Sequence, residues 1–132
     1  MMVDTNIVID LVTPDSPWFE WAVRTVPKDG LAASVVVVGE LAPHSANVAE
    51  VVDMLGSLGI AVAELDAVAA FRAGRALTAY RAAGGSRTKL LGDFLIGAHA
   101  ETRKVPLATR DPKPYRRYFP ELVLITPETD NG

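Results

Sequence analysis

Cysteine is absent from the 132 residues, which removes disulfide staples, thiolate metal sites and cysteine nucleophiles together. Histidine is nearly absent as well. His44 and His99 are the two present, so a histidine-rich zinc site is not expected and any metal would be held mainly by oxygen. No apolar run approaches the roughly 20 residues that cross a bilayer. Nor does a basic segment followed by an apolar stretch open the chain, as a secretory signal would. A cytoplasmic location is the expectation. Basic charge is also in short supply, with 13 Lys and Arg against 16 Asp and Glu, which looks wrong for a nucleic-acid binder until it is mapped.

Hydrophobic residues make up 49% and charged residues 22%, enough to build a core and too apolar for a disordered chain. The length suits one domain. Charge is laid out unevenly. Residues 1–86 carry five basic and ten acidic side chains. Residues 87–117 reverse this, with eight basic (Arg87, Lys89, Arg103, Lys104, Arg110, Lys113, Arg116, Arg117) against three acidic. A basic segment containing isolated carboxylates suits phosphate plus metal, although solvated helix faces explain any single one of these cations equally well.

Strand and helix signals alternate along the chain. A short apolar strand ends at Asp4, and the run 7–11 starts a helix that Thr13-Pro14 stops, because proline disfavours helix in the residue before it. Ser16-Pro17 reads as a helix start, with Ser16 as N-cap and Pro17 at the first position. Residues 31–41 are ambiguous: four consecutive valines favour strand, whereas Ser34 would cap a helix carrying Glu40 on its second turn. Residues 48–58 are helical by period and residues 60–63 form a short strand. Asp66 caps a long alanine-rich helix that stops at Gly84-Gly85. Ser86-Arg87 opens another over residues 88–103, with Leu90, Leu91, Phe94, Leu95 and Ala98 as its apolar stripe. Strands at 105–108 and 122–125 flank a turn or short helix begun by Asp111-Pro112. This alternation means a parallel sheet covered on both faces, and such sheets place their chemistry at the carboxyl ends of the strands.

Four carboxylates fall at suitable places. Asp4 ends a strand, and capping of the next helix is the plainer alternative, though Thr5 and Asn6 offer caps without charge. Glu40 sits in the apolar run 35–41, where a buried charge needs a partner or a metal; the polar stripe of an amphipathic helix is its alternative. Asp93 is the sharpest, because it interrupts an apolar helix in which aspartate is a mediocre choice. Gly92 and Gly97 each cost about 1 kcal/mol relative to alanine there, and Gly97, one turn on, would leave room for an ion or a phosphate. Asp111 follows a strand through Thr109-Arg110, yet Asp-Pro is also a good capping pair. Asp10, Asp53, Glu64 and Asp66 read as surface or capping groups. Hard oxygen donors point to Mg²⁺ or Mn²⁺.

In order and spacing, four motifs resemble the PIN-domain ribonucleases, specifically the VapC-type toxins of bacterial toxin–antitoxin pairs. They are Val3-Asp4-Thr5-Asn6, Ser34-Val35-Val36-Val37-Val38-Gly39-Glu40-Leu41, Lys89-Leu90-Leu91-Gly92-Asp93-Phe94-Leu95-Ile96-Gly97-Ala98-His99-Ala100, and Leu107-Ala108-Thr109-Arg110-Asp111-Pro112 with residues 115–119 after it. The resemblance implies a single PIN domain over residues 1–132. Its fold would be a three-layer α/β/α sandwich, with a small parallel β-sheet of order 3-2-1-4-5 flanked by helices and the valine run as helix. It implies that Asp4, Glu40, Asp93 and Asp111 hold one or two Mg²⁺ or Mn²⁺ ions for hydrolysis of RNA phosphodiesters, with Thr5, Asn6 and Thr109 in support. Arg110, Lys113, Arg116 and Arg117 would steer the RNA backbone. The implied partners are a VapB-type antitoxin and a second copy of the chain, with the helix 66–83 and Phe71 as either docking surface or core.

Two other readings compete. A phosphoryl-receiver module is also a small parallel α/β protein with clustered acids, and Asp66 would be its acceptor, but the acidic pair after the first strand and the lysine after the last are missing. A PIN-like module that binds RNA or protein without cutting is the second.

Overall fold

The computed structural model describes residues 1–87 and 90–130. Its centre is β1, Met2–Val3, both residues buried. Around it lie β2 (Leu31–Ser34), β3 (Ile60–Ala63), β4 (Leu107–Ala108) and β5 (Leu124–Ile125), all pairing in parallel in the order β3-β2-β1-β4-β5. The expected order is thus the observed one. It removes the receiver reading, whose fold runs 2-1-3-4-5. Met2 stands opposite Ala32 on one side and Leu107 on the other, so the carboxyl ends of β1, β2 and β4 open on the same edge.

The crossovers are α1 (Thr5–Leu11), α2 (Phe19–Thr25), α3 (Val35–Leu41), α4 (Val48–Ser57), α5 (Ala67–Ala82), α6 (Leu90–Arg103) and α7 (Lys113–Arg116), and α8 (Pro127–Asp130) follows the last strand. The valine run is helix. Pairing of β2 with β3 ends at Ser34 opposite Ala63, and the Ser34 hydroxyl accepts the Val36 N–H at 3.3 Å, capping α3. Val37 and Leu41, four residues apart, then bury one helical face. Capping and tertiary burial therefore override the strand preference of valine.

Other boundaries moved slightly. Ser16 does not cap a helix at Pro17; its hydroxyl accepts the Trp18 N–H, and α2 begins at Phe19. Ser86 and Arg87 precede α6 without joining it, and the expected helix start at Thr88 and Lys89 lies outside the described residues. Asp66 caps α5 as expected, accepting the Ala69 N–H at 2.9 Å. Ala69, Ala73, Ala76 and Leu77 bury one stripe of that helix, packed on α6, while Val68 and Phe71 stay exposed. Ala69, Ala73 and Ala76 are core, whereas Ala67, Ala70, Ala79 and Ala82 lie with Phe71 at the surface.

Phe94 from α6 meets Tyr118 and Phe119 with ring centroids 5.4 and 5.6 Å apart, and Phe94, Tyr115 and Phe119 are essentially fully buried. Truncating such a ring costs about 3–5 kcal/mol, so the chain after Asp111 is fixed to α6 by packing. Asp10 was expected to be a surface or capping group. It is instead 2% exposed and accepts the Arg110 guanidinium at 2.5 and 3.2 Å, a charge buried because a partner from the far end of the chain reaches it. Among the described residues no single helix is long and apolar enough to cross a membrane.

Candidate active site

β1 is only two residues long, so the turn after it delivers Asp4 straight to the sheet edge, where it doubles as the N-cap of α1. One oxygen, Oδ1, accepts the Thr5 N–H at 2.8 Å; the other, Oδ2, accepts the Thr109 hydroxyl at 2.8 Å and the Tyr115 hydroxyl at 2.7 Å. Both hydroxyls come from the segment after β4. Burial pushes the Asp4 carboxyl above the usual range, and these hydrogen bonds only partly pull it back. Burial and the nearby Asp4 and Asp93 charges push the Tyr115 phenol well above its ordinary value, so it stays a proton donor.

Thr109 is the hub. Its hydroxyl donates to Asp4 while accepting from Asn6 Nδ2 at 3.2 Å and from the Asp111 N–H at 3.1 Å. The Asn6 side-chain oxygen in turn accepts the Arg110 N–H at 3.1 Å. One donor and two acceptor positions are all that a hydroxyl offers, so the turn carrying Asp111 is fixed to the turn carrying Asp4.

Glu40 arrives on α3. The Thr5 hydroxyl donates to its Oε1 at 2.5 Å, and its Oε2 lies 3.3 Å from where a Cβ on Gly92 would stand. Glu40 is exposed, so the expected burial cost does not explain it; the helix turns this residue out of the apolar face and over α6. Gly92 gives the carboxylate room. Gly97 does something different from what was expected. A Cβ there would lie 2.8 Å from Tyr115 Cδ1 and 3.1 Å from Phe119, so this glycine admits the aromatic rings rather than an ion.

Asp93 follows Gly92 on α6. Burial, and then the charges of Asp4, Glu40 and Asp111, raise its pKa to about 7, with Arg87 pulling the other way. The four carboxylates singled out in the sequence thus come from four separate segments into one electrostatic neighbourhood. Among the described residues no three acids stand close enough to coordinate one ion as they are. The donor chemistry nonetheless fits a hard dication: all four are carboxylates, and Asp4 Oδ1 has taken up only one of its two acceptor positions.

Sequence reasoning missed several participants. Tyr115 lies within a recognised motif, but nothing in the sequence says that its hydroxyl turns back to Asp4. His99, read as off the Asp93 face, bonds through Nδ1 to the Ser34 hydroxyl at 2.8 Å, tying α6 to the cap of α3. Burial lowers its pKa, helped by Arg103, which favours the neutral imidazole. Among the cations expected to steer RNA, Arg110 is instead held on Asp10, its guanidinium 5.7 Å from the Trp18 ring. Arg116 pairs with exposed Glu128 at 2.7 Å, Arg117 lies 5.6 Å from the Tyr118 ring, and Lys113 is exposed.

A PIN domain model matches residues 1–120. The chain belongs to the PIN domain family. PIN domains are generally nucleases and usually employ divalent metals. Among curated proteins none matches the chain by sequence. Solved structures with the same fold include VapBC2 from Rickettsia felis bound to a promoter DNA fragment, at 22% identity and TM-score 0.70 over 95% of this chain and 96% of that one. VapBC-1 from nontypeable Haemophilus influenzae matches at 22% identity and TM-score 0.69 over 95% and 96%. FitAcB from Neisseria gonorrhoeae matches at 18% identity and TM-score 0.70 over 96% and 97%.

Proposed function

We propose that this PIN domain is a Mg²⁺- or Mn²⁺-dependent ribonuclease and the toxin of a VapBC-type pair, blocking translation and growth when free of its antitoxin. The observation that carries the reading is the convergence of Asp4, Glu40, Asp93 and Asp111, where burial first and then repulsion from the other three raise Asp93 to a pKa of about 7. Repulsion of that kind is relieved by a proton or a cation, and at neutral pH a dication is the better match.

Asp4, Glu40, Asp93 and Asp111 would hold one or two ions. Bound there, the metal would supply Lewis-acid stabilisation of the phosphodiester oxygens and a more acidic water. Thr109 and Tyr115 orient Asp4 through its Oδ2, leaving Oδ1 the more open oxygen. Thr5 holds Glu40 over the helix that carries Asp93. Phosphate contacts fall to exposed Lys113 and Arg117, with Arg87 added on the Asp93 side. Products with 5′-phosphate and 3′-hydroxyl ends are expected.

The VapBC complexes among the similar structures support a VapB-type antitoxin as partner. A groove of about 430 Å³ lined by Ile9, Val12, Leu41, His44 and Met54 offers an apolar segment a seat, and Ile9 and Val12 are 40% and 47% exposed. Val68 and Phe71 on α5 offer a second surface, for the expected homodimer. The test is cleavage of single-stranded and structured RNA by purified chain freed of any partner. Cleavage should require Mg²⁺ or Mn²⁺ and vanish in excess EDTA and in Asp93→Asn. Undiminished cleavage in either case sinks the mechanism.

A further inference from the structure

A small cleft of about 140 Å³ is lined by Tyr80, Arg87, Leu90, Phe94, Lys113, Pro114 and Tyr118, two of which neighbour Asp93 and Asp111 in sequence. We infer that this cleft is a base-binding subsite that takes one nucleobase of the RNA next to the scissile phosphate, with Arg87 and Lys113 on the flanking phosphates. The inference rests on the ribonuclease reading and adds to it where the substrate is gripped.

Position is the first argument. Phe94 follows Asp93 directly on α6, Lys113 is two residues beyond Asp111, and Arg87 lies three residues before the first residue of α6. An RNA whose phosphate sat among the acids would bring a neighbouring nucleotide towards these two segments. Chemistry is the second. Buried Leu90 and Phe94 floor the cleft, half-buried Tyr80 and Tyr118 wall it, and exposed Arg87 and Lys113 rim it. Aromatic walls with cations at the mouth are the combination that single-stranded RNA uses, through stacking and backbone charge. Neither rim cation is drawn into the ion pairs that bind Arg110 to Asp10 and Arg116 to Glu128.

Size narrows the occupant. Pockets for drug-sized ligands run to about 300–1,000 Å³, so 140 Å³ admits one ring system and leaves sugar and phosphates outside. The walls are also preset. The Tyr80 hydroxyl accepts the Arg87 N–H at 3.0 Å, and a Cβ on Gly85 would stand 2.3 Å from the Tyr80 ring, so only glycine allows that loop to lie on the tyrosine. Arg72 Nη2 donates to the Tyr118 carbonyl at 2.6 Å, fixing the other wall.

The experiment measures binding of short RNAs to the Asp93→Asn protein in EDTA, so that neither metal nor cleavage enters the reading. One abasic position is moved along each RNA. A single abasic position adjoining the cut made by the wild-type protein should weaken binding about tenfold, as loss of one base–aromatic stack does. Tyr118→Leu should erase that sensitivity. In case Tyr118→Leu disturbs the core, exposed Lys113→Gln gives a second reading: the slope of log affinity against log salt should fall by about 0.7, one single-strand phosphate contact. The subsite is overturned if every abasic position binds alike, if the abasic loss persists in folded Tyr118→Leu, or if the Lys113→Gln slope equals that of the parent. These outcomes leave wild-type cleavage untouched. Failure of the ribonuclease reading would appear separately, as no cleavage with Mn²⁺.

Discussion

Asp4 and Asp93, two acids of the candidate site, are held under opposite regimes. Asp4 is 5% exposed and receives three hydrogen bonds from the protein. Asp93 is half-buried on a helix, and its character comes from burial and three neighbouring charges. One flank of the acid cluster is therefore built before any ligand arrives, and the other is held in tension. A satisfied carboxylate can fix a reference point. A crowded one, carrying a proton affinity near neutrality, is suited to exchange that proton for a cation.

The largest expected effect tests the crowded flank. Asp93→Asn should lower metal-dependent RNA cleavage by at least about 100-fold, the scale of losing one charged or polar group from a catalytic site. In EDTA the same variant should melt at a higher temperature than the wild type, because a neutral amide removes the repulsion. Loss of activity together with loss of metal-free stability would erase the contrast with Asp4.

The same flank sets a pH dependence. The folded-state value of about 7 for Asp93 lies above the ordinary 3.8, so between those values the native protein binds more protons than the unfolded chain. The contribution of Asp93 to the stability of the metal-free protein is therefore fully present below about pH 4 and lost as pH rises through 7, and it is read as the difference between wild type and Asp93→Asn. Thermal melts in EDTA across that range check the sign, and Asp93→Asn should flatten the profile. Saturating Mn²⁺ should lift stability most at the upper end, where the acids are charged.

On the satisfied flank, Thr109→Val keeps the shape and deletes the hub. It removes the donor to Asp4 and leaves Asn6 Nδ2 and the Asp111 N–H without their acceptor, so a cost of about 3 kcal/mol is expected from orphaned buried groups. Denaturant titration measures it. A loss under 1 kcal/mol would mean that water replaces the hydroxyl and that the flank is less dry than its burial indicates.

How much of this could be read from the sequence differs between the two flanks. The alternation of strands and helices, the cap at Asp66 and the four candidate acids follow from patterns a few residues long, whereas the strand order came from the resemblance to the family. The polar scaffold was less accessible. Thr109 and Asn6 are joined across 103 positions, and Arg110 crosses 100 to reach Asp10; no local period encodes such partners. Gly97 was legible as a residue avoiding a side chain but not for which neighbour. The space belongs to Tyr115 and Phe119, whose placement depends on packing of the whole segment after β4.

Gly97→Ala and Tyr115→Phe, the two smallest effects, sharpen that last point. A Cβ at position 97 presses on the buried Tyr115 ring at 2.8 Å, and the ring sits in a packed core that yields little, so about 2 kcal/mol is expected. Tyr115→Phe keeps the ring and removes only its hydroxyl. Asp4 then retains Thr109 and the Thr5 N–H, and a hydrogen bond to a charged group contributes about 1.5 kcal/mol or somewhat more, less here because Asp4 can take up a proton instead. Gly97→Ala should therefore destabilise at least as much as Tyr115→Phe in denaturant titration. Only Tyr115→Phe should raise Mn²⁺ affinity per unit of stability lost, by returning an acceptor position on Asp4 Oδ2 to the site. If Gly97→Ala were harmless while Tyr115→Phe was not, the ring would have room to move, and Asp4 would owe its position to Thr109 and the β1 turn alone.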